Sequence, residues 1–107
     1  MLTNEVIEKL VEMGCNEWKK GDYHRIYVNP EMLGLTVDRY NSGKVSYAEF
    51  DEEKISNTEA TKILAGKYYI DANNGTVSVT AGFAYGETKF RNTLKERIEE
   101  MLDKALA

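Results

Sequence analysis

Glycine-centred turns between short alternating runs are the feature that most constrains this chain. Gly21 in KKGD, Asn41-Ser42-Gly43 and Asn74-Gly75 each separate two segments in which apolar and polar residues alternate. Alternation sends successive side chains to opposite faces of a strand, and glycine or Asn-Gly supplies the positive φ of a tight reversal. Three hairpins are therefore expected, the last with Asn74 and Gly75 as the two central residues of its turn. In the second strand of the first hairpin, Tyr23, Arg25 and Tyr27 fall on one side, and His24, Ile26 and Val28 on the other.

Helix signals sit between the hairpins. Residues 3 to 13 place Val6, Ile7, Leu10 and Val11 on one face, with Thr3 or Asn4 as cap and Gly14 as the stop. ISNTEATKILAG carries a capping box, Ser56 with Glu59, and a small staple of Ile55 with Ala60, before Gly66 ends the run. Residues 88 to 105 show a stripe of Phe90, Leu94, Ile98, Met101, Leu102 and Ala105 behind a Thr88 cap. NPEMLGL predicts a short helical turn with Pro30 at its first position. The order helix, hairpin, hairpin, helix, hairpin, helix reads as α+β, an antiparallel sheet built from hairpins with three helices packed on one face. A chain of 107 residues has room for one core, so residues 1–107 are expected to form a single domain.

The bulk properties narrow the function. No apolar run exceeds three residues, far short of a membrane span, and the opening MLTNEVIEKL has no apolar leader. One cysteine excludes an internal disulfide and a multi-cysteine zinc site, and suits a reducing cytoplasm. A net charge of -4 opposes general attraction to nucleic acid or anionic membrane, which depends on excess Lys and Arg. A protein partner with a basic surface fits that charge better. No phosphate loop, dinucleotide glycine pattern, H-E-x-x-H or G-x-S-x-G occurs, so no catalytic residue and no cofactor or metal is assigned.

Several clusters compete for a role. Cys15, Trp18 and His24 lie within one short stretch, but a Cys–His pair needs hydrogen-bond contact and an orienting third group. A packed strand pair explains the stretch more simply. DRYNSGKVSYAEF places Asp38, Ser42, Gly43 and Glu49 as an EF-hand loop would, yet Tyr40 fills the third ligand position and Gly34, Thr36 and Val37 oppose an entering helix. A hairpin is expected there. Lys19, Lys20, His24 and Arg25, interleaved with Trp18, Tyr23 and Tyr27, have the composition of a stacking platform for single-stranded RNA, against the sign of the net charge.

Acidic residues gather in EFDEE, with Glu49, Asp51, Glu52 and Glu53, and again on the last helix. Seven tyrosines outnumber three phenylalanines and lie on or beside predicted strands, where alternation turns some outward. Tyrosine is frequent at interface hot spots and is also a good strand former.

The succession WKKGDYHRIYVNPEMLGL, ISNTEATKILAGKYYID and a short final helix resembles small proteins encoded by bacteriophages and mobile elements, over most of the chain. The resemblance implies an accessory protein that inhibits host defence, as anti-CRISPR proteins do. Those differ in fold, so it carries over no site residue. The expected function is a non-enzymatic binding protein that inhibits a larger host protein, with Asp51, Glu52, Glu53 and Glu49 as charged contacts and Tyr40 and Tyr47 as aromatic anchors. Two other readings stand beside it: a small-molecule- or nucleotide-sequestering module with a tyrosine-lined pocket between sheet and helices, and RNA binding through the Trp18 hairpin.

Overall fold

Local chemistry starts each element where the residues predict. In the computed structural model, which describes residues 1–80 and 88–107, Thr3 Oγ1 accepts from the Val6 N–H at 3.2 Å and opens α1, Asn4–Glu12. Gly14, at φ 114°, ends it. Ile7 and Leu10 are buried, but Val11 stays 43% exposed, because the buried arc of this short helix is narrower than the apolar stripe. Gly21 turns the chain at φ 58° between β1, Asn16–Lys20, and β2, Tyr23–Tyr27.

Asn29 then caps a 3-10 turn over Pro30–Leu33, and Gly34 reverses the chain at φ 104°. This swing separates the second hairpin from the first. β3, Leu35–Arg39, and β4, Val45–Phe50, pair with each other, and a short β5, Glu53–Lys54, adds to β4. The expected single sheet is thus two: a three-stranded β3-β4-β5 and a four-stranded β1-β2-β6-β7. β6, Lys67–Asp71, lies beside β2, and β7, Val77–Thr80, beside β6. All pairings are antiparallel. The α+β class stands.

α2, Asn57–Ala65, begins at Ser56, whose Oγ accepts from the Glu59 N–H at 3.1 Å. The return half of the capping box is not made. Glu59 instead accepts from the Thr88 hydroxyl and, at 3.1 Å, from the Lys89 N–H, clamping α2 to the start of the last helix. Thr88 lies two residues before the cap position of α3, which runs Arg91–Leu106 after Phe90, and its Oγ1 accepts from the Phe90 N–H at 3.3 Å. Asn74 and Gly75 do not form a two-residue turn. Asp71 and Thr76 close a four-residue loop in which only Gly75 has positive φ, and the Asp71 and Asn74 side chains accept from the Asn73 and Thr76 N–H groups. Short Asx side chains supply that alternative.

α1 packs on α3, α3 on β7, and α2 on β4. Leu10, Ile26, Ile63, Ile70, Leu94 and Ile98 are fully buried at the centre, with Leu35 reaching in from the smaller sheet. No helix among the described residues is long and apolar enough to cross a membrane.

Candidate binding faces

On the four-stranded sheet, register decides which residues meet. Trp18 stands opposite Arg25, Asn16 opposite Tyr27, and Tyr27 opposite Tyr69. These residues share the face away from the buried Ile26 and Ile70, because alternate strand positions point oppositely. Arg25 sits among three rings, with its guanidinium carbon 4.4 Å from the Tyr69 centroid, 5.3 Å from Tyr23 and 5.8 Å from Trp18. Its Nη1 donates to the Tyr27 hydroxyl at 3.2 Å. Trp18 meets Tyr27 edge-on at 6.2 Å, and Tyr27 meets Tyr69 at 5.5 Å. A guanidinium within about 6 Å of a ring face is attracted by the ring quadrupole. Tyr23 is 62% exposed and Trp18 38%. An open groove of about 780 Å³ beside them is lined by Trp18, Lys20, Asp22, Tyr23, Arg25 and Asp71.

The basic cluster read from the sequence is divided by this geometry. Lys20 and Arg25 share the aromatic face, whereas Lys19 and His24 lie at the other side of the ladder, where His24 Nε2 is 2.5 Å from Glu17 Oε2. Asp71 stands opposite Arg25. The face is mixed in charge, not a cationic strip.

On the three-stranded sheet, Asp38 stands opposite Tyr47, and Thr36 opposite Glu49, on the face away from Leu35, Ala48 and Phe50. The Tyr47 hydroxyl donates to Glu49 Oε2 at 3.1 Å, and that bond, before all else, raises the Tyr47 pKa. Tyr40 is 63% exposed at the hairpin end, and Glu52 and Glu53 are exposed. Asp51 has a different place. Both its oxygens accept from Arg97 in a bidentate pair, and Arg97 Nη1 also donates to the Leu33 carbonyl at 2.5 Å. Hydrogen bonding to Arg97 holds the Asp51 carboxyl below its usual range. This carboxylate ties the β4–β5 turn to α3 and is not a free contact.

Asp51 and Glu52 also occupy positive φ, 52° and 67°, unusual for residues with a Cβ. Gly34 explains how the pair fits: a Cβ there would lie 2.5 Å from Arg97 Nη1 and from Asp51 Oδ1.

Cys15 and His24 are not brought together. Cys15 is 3% exposed, its Sγ lies 3.5 Å from Met101 Sδ, and burial raises its pKa, which disfavours the thiolate. His24 pairs with Lys19, four residues further along β1, or roughly 13 Å at the rise of a strand. Asp38 and Glu49 belong to a hairpin flanked by strands, and no cluster of three potential metal ligands occurs among the described residues. Among the described residues, the tyrosines do not enclose a pocket between sheet and helices. Tyr23, Tyr27 and Tyr69 face outward, while Tyr68, turned inward, donates to the Ile63 carbonyl at 2.6 Å and has its pKa pushed up to about 12 by burial. Tyr85 lies outside the described residues.

The molecule is a small α+β protein that, among the described residues, presents an aromatic sheet face and an acidic one. Compared with protein-family models, curated protein sequences and solved structures, the chain matches none. Sequence reasoning missed Tyr69 and Asp71 as members of the aromatic face and Arg97 as the partner of Asp51. Their only signal was outward alternation, and β2–β6 and β4–α3 contacts join positions more than forty residues apart.

Proposed function

We propose that this chain is a non-enzymatic binding protein that inhibits a larger protein by docking through the outer face of its four-stranded sheet. The arginine held among Trp18, Tyr23 and Tyr69 carries this reading. Trp, Tyr and Arg dominate interface hot spots; the two aromatic types bring large contact area with few side-chain torsions to freeze, and the longer Arg25 is held here by the rings around it. Arg25, Tyr27 and Tyr69 already constrain one another, so little ordering remains to oppose association. The resemblance to phage accessory proteins adds the role, inhibition of a host complex of the anti-CRISPR kind, with a basic surface on the partner meeting the acidic side.

Mixed charge on the face favours protein over single-stranded RNA, which needs a positive track for its phosphates. The open groove favours a protein surface over a sequestered nucleotide, which is enclosed on most sides.

The test is affinity capture from host lysate with the wild-type chain and two variants, scored by the identity of the captured protein. Trp18→Ala with Tyr23→Ala should reduce capture at least about tenfold, the size of one lost hot spot. Charge reversal at Glu49, Glu52 and Glu53 should slow association and leave the complex formed. The opposite ranking would move recognition to the acidic face. Retention of labelled single-stranded RNA at low salt, lost in the Trp18 variant, would replace the protein partner with nucleic acid.

A further inference from the structure

The edge of the four-stranded sheet has a second property, independent of the aromatic face's partner. β1 is the terminal strand, and all five of its residues are exposed. The direction of its free backbone groups follows from β2. The Ala72 N–H donates to the His24 carbonyl and the Val28 N–H to the Tyr68 carbonyl, both at 2.8 Å, so His24, Ile26 and Val28 bond toward β6. Tyr23, Arg25 and Tyr27 therefore bond toward β1, where they meet Lys20, Trp18 and Asn16. Backbone groups alternate in direction along a strand. The N–H and C=O of Glu17 and Lys19 thus point out of the sheet, with no strand beside them among the described residues.

We propose that a second copy of this chain pairs with this edge, β1 against β1 in antiparallel register, to form a two-fold dimer with a continuous eight-stranded sheet. Charge selects the occupant and the register. Three symmetric registers bring the outward groups of this short strand together, centred on residue 17, 18 or 19. Centring on Glu17 sets two carboxylates opposite each other, and centring on Lys19 sets two ammonium groups opposite each other. Centring on Trp18 sets Glu17 against Lys19 of the other copy, twice. Opposite charges directly across a ladder stabilise and like charges destabilise. Charged side chains guard a sheet edge where a partner strand would have to oppose like charge; here the two positions whose backbone points outward carry one charge of each sign, so the Trp18-centred register opposes none.

In the Trp18-centred register the Glu17–Lys19 pairs are the hydrogen-bonded ones. Trp18 then faces its own copy at a non-hydrogen-bonded position, where side chains approach most closely. The two-fold axis is perpendicular to the sheet, so both aromatic faces lie on the same side and join across the Trp18 pair. The contact is small, and the dimer is a weak, concentration-dependent one.

Sedimentation at low salt, from about 5 μM to about 1 mM, spans the range of such weak association. The wild-type chain should pass from monomer to dimer, and the emission of Trp18, the chain's only tryptophan, should shift over the same range. Lys19→Glu puts four carboxylates in the two pairs and should weaken the dimer at least tenfold, with an unchanged far-ultraviolet circular dichroism spectrum. Lys19→Pro breaks no backbone bond within the sheet but removes an outward N–H, together with the ammonium, and should abolish the dimer. Glu17→Lys combined with Lys19→Glu restores opposite charges and should restore dimerisation, although it gives up the Glu17–His24 contact. A wild-type chain monomeric throughout overturns the proposal and leaves the edge for a foreign strand. A dimer indifferent to both Lys19 variants overturns it too, by placing the contact elsewhere.

Discussion

The outer faces of the two sheets are assembled from the same kinds of residue, tyrosines beside charges, and are held in place by different means. On the four-stranded sheet Arg25 touches three rings and a hydroxyl, and the strand beneath it buries Ile26 completely. Its order comes from a ladder closed on both sides of β2. On the three-stranded sheet the acidic end depends on a turn with two residues in positive φ and one ion pair to α3. Strands flank β2 and β4 alike; the aromatic face is held further by contacts among its own side chains, and the acidic end by one long side chain that reaches across from α3. A surface of the first kind suits recognition, since it loses little freedom on binding.

The largest effect that tests this contrast is a pair of glycine substitutions. Gly34→Ala meets both a left-handed backbone and the Asp51–Arg97 pair, and should lower stability by about 2–4 kcal/mol. Gly21→Ala, at φ 58° in open space beside the aromatic face, should cost only about 1 kcal/mol. Thermal melts of the two proteins give the comparison, and equal losses would show that the acidic turn is not the tighter constraint.

Next in size is Arg97→Met. The variant keeps an apolar chain over Phe50, where the Arg97 guanidinium now sits 5.1 Å from the ring centre, and loses the bonds to Asp51 and Leu33. Because half-exposed ion pairs are weakened by solvent, the loss should be about 1 kcal/mol at neutral pH. The sign of its pH dependence is fixed by the lowered Asp51 pKa. The unfolded carboxyl takes up a proton first as the medium becomes acid, so the pair stabilises above the unfolded pKa near 4, and that contribution fades as pH falls through the lower folded pKa. Urea unfolding at pH 7 and pH 3 should show a smaller acid loss in Arg97→Met than in the wild type. An identical loss in both proteins would detach Asp51 from this role.

The smallest effect belongs to Tyr23→Ala. An exposed ring at the end of β2 should change stability by less than about 0.5 kcal/mol, so its effect on binding reads as contact and not as unfolding. Chemical denaturation checks this, and a loss above about 1 kcal/mol would mean that the ring supports the Arg25 cluster.

Legibility followed the sequence distance of each interaction. Thr3, Asn29 and Ser56 cap bonds two or three residues away, and each does what its residue type indicates. Alternation in YHRIYV separated the aromatic side of β2 from the buried one. Glu59 shows where local logic stops: its side chain was free to close the capping box, and Thr88 and Lys89 took it instead. A carboxylate serves whichever donors the tertiary fold brings closest, and those lie 29 and 30 residues away.

The amino-acid sequence by itself determined the helices, the hairpins, their order and the α+β class, because caps, turns and periodicity act within a few residues. The tertiary structure alone decided that the strands divide into two sheets, that Tyr69 joins Trp18 and Tyr27 around Arg25, and that Asp51 is occupied by Arg97. Those outcomes rest on pairing between distant segments. Apolar burial drives that pairing without naming the partner, and the partner follows only when the whole core closes.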